Sequence, residues 1–172
     1  MQGGINYVAL ACSALSLILN IAAVAIPNWI LKSPVQFGLW KLCHLFKCID
    51  MDDLFSCGGL KVTDSLKATG ALLIIGLIMM VVAIVVAVLK MFVMKDNSCL
   101  SIGAAGSAIA AGLLILVGAI VFAVKVIDKT GKTGMTANML SGGFALAIVS
   151  SCIAIVAGIL FYLGYNKYNI CL

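Results

Sequence analysis

An all-α membrane protein with four spanning helices is the fold class this sequence predicts, and three observations carry the prediction. The 172 residues are 64% hydrophobic and only 10% charged, too little polar surface to cover the core of a water-soluble domain of that size. Four apolar runs, at residues 7–26, 68–89, 102–124 and 139–163, each reach the roughly 20 residues needed to cross about 30 Å of hydrocarbon. The charged residues gather between or beside those runs, as eleven Lys and six Asp with no Arg and no Glu.

The first run, Tyr7 to Ile26, is interrupted only by small or weakly polar residues such as Ser13, Ser16 and Asn20. It lacks a basic flank and exceeds a usual signal-peptide core, so it reads as a membrane helix, and Pro27 ends it. Asn20, inside the span, is expected to bond a neighbouring helix. The second run, Ala68 to Leu89, stops at Lys90 and Lys95, and the third, Ile102 to Val124, opens on Gly103, Ala104, Ala105, Gly106, Ser107 and Ala108. Lys125 at its end can extend its ammonium to the interface. The fourth run, Met139 to Leu163, spaces Gly143, Ala147 and Ser151 by four, which lets helix backbones approach closely in lipid. The whole chain, 1–172, is thus expected to form one four-span domain. Its long first loop, 27–67, and the loop at 125–138 emerge on one side, and both termini on the other.

Several functions are excluded by what is missing. The net charge of +5 is spread over single lysines, without the concentrated basic face that nucleic acid requires. His44 is the only histidine and the aspartates lie in loops, so no acid–base set converges and neither an enzyme nor a cofactor is expected. Cys43, His44, Cys48 and Cys57 match no common zinc spacing. Asp128-Lys129-Thr130-Gly131 resembles the phosphorylation motif of ion pumps but has no catalytic domain to serve, and Gly131-Lys132-Thr133 lacks the earlier glycine of a phosphate loop.

Orientation is where two arguments disagree. Lys32, Lys41, Lys47, Lys61, Lys67, Lys129 and Lys132 sit on the long-loop side, against Lys90, Lys95 and Lys167 on the other. By the lysine count the long loop would be cytoplasmic. The cysteines clustered in that loop point instead to an oxidising compartment, and the expectation here follows them.

The most informative stretch is the first loop, with Pro27-Asn28-Trp29, then Gly38-Leu39-Trp40-Lys41-Leu42-Cys43, then Cys48. A Trp after the first span, a Gly-Leu-Trp, two residues, a Cys and a later Cys resembles the signature of the claudin and peripheral-myelin/epithelial-membrane-protein superfamily. The entry into the second span, Leu66-Lys67-Ala68-Thr69-Gly70-Ala71-Leu72, fits as well, with Gly70 where the family carries an arginine. The resemblance implies a left-handed four-helix bundle with cytoplasmic termini and a small extracellular antiparallel β-sheet drawn from loops one and three. Alternation over Gln36 to Leu42 and the four residues between Cys43 and Cys48 are compatible with strands and a hairpin.

The resemblance also implies a disulfide from Cys43, here to Cys48 with Cys57 as the alternative partner. Both spacings differ from the eight to ten residues usual in the family, and the stretch between Trp29 and Gly38 is short. Asp50, Asp52 and Asp53 follow Cys48 at the place where pore-forming members set charge selectivity. Ile170 and Leu172 have the spacing of a hydrophobic PDZ-binding end, and Cys99 and Cys171 lie where palmitoylation is expected. The partners so implied are the lipid bilayer, the protein itself or related four-span proteins in cis and in trans, a PDZ scaffold, or a channel or receptor. The expected location is the plasma membrane, at cell–cell contacts.

Overall fold

The computed structural model describes residues 2–26, 29–32, 35–44, 47–50, 63–93, 98–130 and 141–169. Four long helices dominate it: α1 (Gln2–Ala25), α2 (Thr63–Phe92), α3 (Ser98–Thr130) and α4 (Gly142–Asn169). All four are long and apolar enough to cross a membrane, over Gly4–Ala25, Lys67–Phe92, Cys99–Val124 and Gly142–Gly164. The 33 residues of α3 rise about 50 Å, so the helix outruns its apolar run and remains helical to Thr130. No proline or glycine interrupts it between Val124 and Gly131.

Each helix buries a seam of repeating spacing. On α1 it is Ala9, Ser13, Ser16, Asn20 and Ala23, and on α2 it is Thr69, Leu73, Met80, Ala83 and Ala87 with Gly76 between. Ser101, Ala108, Ile115 and Phe122 mark it on α3, and Ala147, Ala154 and Phe161 on α4. Steps of three and four that sum to seven give a 3.5-residue period, the one that selects left-handed supercoiling. The antiparallel helices form a ring in which α2 packs on α3, α3 on α4 and α4 on α1, while a thinner contact between α1 and α2 closes it.

Small seam residues set how close the helices come. A Cβ added to Gly112 would lie 2.9 Å from the Ser151 carbonyl oxygen, and one on Gly158 would lie 3.0 Å from that of Ala105 and 2.5 Å from Ile109 Cγ1. At the α1–α4 contact Ser16 Oγ donates to the Ser150 carbonyl at 2.8 Å and Ser150 Oγ returns the bond to the Ser16 carbonyl at 2.8 Å. Asn20 does reach a neighbouring helix: its Nδ2 donates to the Leu73 carbonyl on α2 at 3.4 Å. Its Oδ1 is the one buried side-chain polar atom without a partner among the described residues. At the opposite end, Lys90 on α2 donates to Ser101 Oγ on α3.

Between α1 and α2 the chain forms a four-stranded antiparallel meander: β1 (Ile30–Lys32), β2 (Val35–Phe37), β3 (Lys41–His44) and β4 (Lys47–Asp50), in that order across the sheet. The registers are Ile30↔Phe37, Gln36↔Cys43 and Cys43↔Cys48 for successive pairs. All four strands come from the first loop. The strand expected from the third loop would fall in residues 131–140, outside the described residues.

Candidate functional site

The sheet is joined to the bundle by a short sequence of backbone necessities. In a regular helix the Ala23 carbonyl would accept the N–H of residue 27, but that residue is a proline and has none. Among the described residues the last helical bond runs from the Ile26 N–H to the Ala22 carbonyl, at 3.0 Å. The vacant acceptor is taken by Trp29, whose Nε1 donates to the Ala23 carbonyl at 2.8 Å. The spacing Pro27-x-Trp29 thus has a physical meaning: the proline orphans a carbonyl and the tryptophan satisfies it.

The indole is enclosed completely, with 0% exposure. Its ring centroid lies 4.7 Å from that of Phe122 on α3, tilted by 60°, and 6.4 Å from that of Phe144 on α4, nearly edge-on at 71°. Such tilted pairs are favoured by the ring quadrupoles. The Trp29 carbonyl also accepts the Ser141 N–H at 3.0 Å, and the Ser141 carbonyl takes the Ala145 N–H that opens α4. One residue therefore ties the end of α1, the wall of α3 and the start of α4.

Ile30 and Leu39 complete this layer, joining Ala23, Leu73, Ile115, Ala119 and Ala147 in one buried cluster that draws on all four helices. The Gly-Leu-Trp element is the β2–β3 turn, closed by the Gly38 N–H on the Lys41 carbonyl at 2.9 Å. Leu39 is buried, whereas Trp40 is 44% exposed.

That turn also decides the character of the cysteine pair. Hydrogen-bonded and non-bonded pairs alternate along an antiparallel ladder. With 38 and 41 bonded, 37↔42 is non-bonded and Gln36↔Cys43 is bonded. Cys43 therefore spends its backbone groups on β2. Its register partner on the other side, Cys48, stands in a non-hydrogen-bonded pair, where Cα atoms are about 4.5 Å apart. Asp50 stands in register with Lys41.

Of the residues singled out from sequence, Trp29, Gly38, Leu39, Trp40, Cys43, Cys48 and Asp50 come together in this sheet. Cys99 is a free, exposed cysteine near the start of α3 at the far end of the bundle. Asp52, Asp53, Cys57, Ile170, Cys171 and Leu172 lie outside the described residues. Among the described residues no group of His, Cys, Asp or Glu could hold a metal ion. Phe122 and Phe144, which wall in Trp29, were not singled out. Phe122 does fall on the seven-residue seam of Ser101, Ala108 and Ile115, a signal that could have exposed it.

A family model described as PMP-22/EMP/MP20/Claudin family matches residues 5–161. No curated protein matches the chain.

Proposed function

This chain belongs to the PMP-22/EMP/MP20/Claudin family of multi-pass membrane proteins, and from that premise we propose that it acts as a claudin-like structural protein of tight- or septate-type cell junctions. In this reading the sheet faces the extracellular space and both termini are cytoplasmic. Contacts through the sheet, in cis with neighbouring copies and in trans with the opposing cell, form or regulate a paracellular barrier or an ion-selective path.

The observation that supports the reading is the anchorage of the sheet by Trp29 to three helices. A surface that mediates cell–cell contact must hold its orientation against load, and a buried, hydrogen-bonded aromatic lock does that. A Cys43–Cys48 disulfide, with Cys57 as the alternative partner, would brace the other end of the sheet. The register favours the first pairing, since about 4.5 Å between Cα atoms falls within the disulfide range. Asp50, with Asp52 and Asp53, would supply the negative field of a cation-preferring path, which Lys41 opposite Asp50 would weaken. Ile170 and Leu172 would engage a PDZ scaffold, and Cys99 and Cys171 would carry palmitate.

One feature favours a second reading. Lys32 pairs with Val35, so only Ser33 and Pro34 connect β1 to β2, and the first hairpin offers little length for lateral polymerisation. A compact sheet of that kind suits an epithelial-membrane-protein-like or channel-auxiliary role, in which it flanks a partner channel or receptor and tunes its trafficking or gating.

Expression of the tagged protein in contact-forming cells that lack claudins separates the two. The junction reading expects enrichment at contacts and a changed paracellular conductance, with cation preference reduced by Asp50→Asn. Uniform surface staining with unchanged conductance would overturn it in favour of the auxiliary role.

A further inference from the structure

Trp29 and Trp40 belong to one motif yet meet opposite surroundings. Trp40 leaves the buried cluster and lays the benzenoid edge of its indole against the backbone of α2 at Gly70. A Cβ there would lie 3.0 Å from Cη2, 3.3 Å from Cζ2 and 3.7 Å from Cζ3. The absence of a side chain at Gly70 makes the seat. Gly70 is buried beneath the ring, while 44% of Trp40 remains exposed.

The depth of that seat is set by α2. Its spanning segment begins at Lys67, and Gly70 is one turn inside. Below it the outward face continues through exposed Ala71, Ile74, Ile75 and Ile78. The exposed side of Trp40 is therefore the upper end of the stripe that α2 turns toward lipid. Exposed Lys41 and Lys67 flank it at the boundary. This is the level at which an indole is most favoured, with its ring in the apolar margin and its N–H among ester and headgroup oxygens.

We propose that Trp40 is a lipid-contacting anchor, its exposed face lying among the glycerol-ester and headgroup atoms of phospholipids, seated on the gap left by Gly70. The β2–β3 turn is then held twice, by Leu39 to the bundle and by Trp40 to the bilayer. The height of the sheet above the membrane follows the leaflet on its own side. This holds whether the sheet serves a junction or a partner channel, so it stands apart from the function proposed above.

The chain has only two tryptophans, and one of them is enclosed, which makes the test direct. The full chain is placed in phosphatidylcholine nanodiscs whose acyl chains carry bromine either near the headgroup or near the bilayer centre, and tryptophan emission is read. Shallow bromine is expected to quench the wild-type protein more than deep bromine does, and Trp40→Phe is expected to abolish most of that difference. Trp29→Phe, which isolates Trp40, should retain it; if that variant fails to fold, wild type minus Trp40→Phe yields the same quantity. Quenching of the Trp40 signal by aqueous iodide but by neither brominated lipid would overturn the proposal. So would protection from all quenchers that grows with the number of chains per disc, since a second copy would then cover the ring.

Discussion

Replacing Trp29 with Phe tests the lock between sheet and bundle. The substitution keeps an aromatic ring facing Phe122 at 4.7 Å and Phe144 at 6.4 Å but removes the indole N–H that donates to the Ala23 carbonyl at 2.8 Å. Because residue 27 is proline, the backbone N–H that a regular helix would offer this carbonyl is missing. An acceptor left unsatisfied in a dry interior costs about 1–3 kcal/mol. The apolar area lost on shrinking indole to benzyl adds about 1 kcal/mol. The expected destabilisation is about 2–4 kcal/mol, measured by equilibrium unfolding of the purified protein in mixed micelles.

The same logic predicts non-additivity. Pro27→Ala restores an N–H at the position from which a helix would serve the Ala23 carbonyl. In that background Trp29→Phe should cost less, with a coupling of about 1 kcal/mol between sites that share a partner. A single-variant loss below about 1 kcal/mol, within the range of ordinary core trimming, would refute the claim that the indole N–H fills the vacancy left by the proline. Strict additivity in the double mutant would refute it equally.

Gly158→Ala should destabilise the bundle by about 1–3 kcal/mol as an overpacking change, since its Cβ would meet the Ala105 carbonyl at 3.0 Å and Ile109 Cγ1 at 2.5 Å. Gly106→Ala, where nothing lies within 4 Å, is the control and should be neutral or slightly stabilising in the same unfolding assay. Asn20→Leu should be close to neutral despite complete burial, because it removes a weak 3.4 Å bond together with an unsatisfied Oδ1; a loss above about 2 kcal/mol would show that Oδ1 has a donor. Non-reducing peptide mapping should recover a Cys43–Cys48 cross-link, and a Cys43–Cys57 peptide would overturn that pairing.

Much of this molecule is legible in the sequence because the bilayer is a simple solvent. It demands long apolar helices and satisfied backbones, so hydropathy alone located the four runs that became α1 to α4. The first-loop motif placed the chain in its family for a similar reason: Pro27 and Trp29 answer each other through a single backbone carbonyl, and that requirement ties residue types to a spacing. Gly143, Ala147 and Ser151 were readable as a packing face, and all three are buried on α4. Lys125 to Thr130 were harder to read, because polarity marked the end of a span while the absence of glycine and proline let the helix run on.

The sequence by itself therefore determined the number of spans and the signature of the first loop, both consequences of local pattern and solvent. Only the tertiary structure decided that Trp29 is sealed between Phe122 and Phe144 while Trp40, eleven residues on, rests half-exposed on Gly70. The two side chains are chemically identical, and local pattern cannot tell them apart. Their fates depend on which helix lies beneath each: α3 and α4 close over one, and α2 offers the other a position without a side chain. Those neighbours come from segments far away in the chain and meet only when the bundle closes.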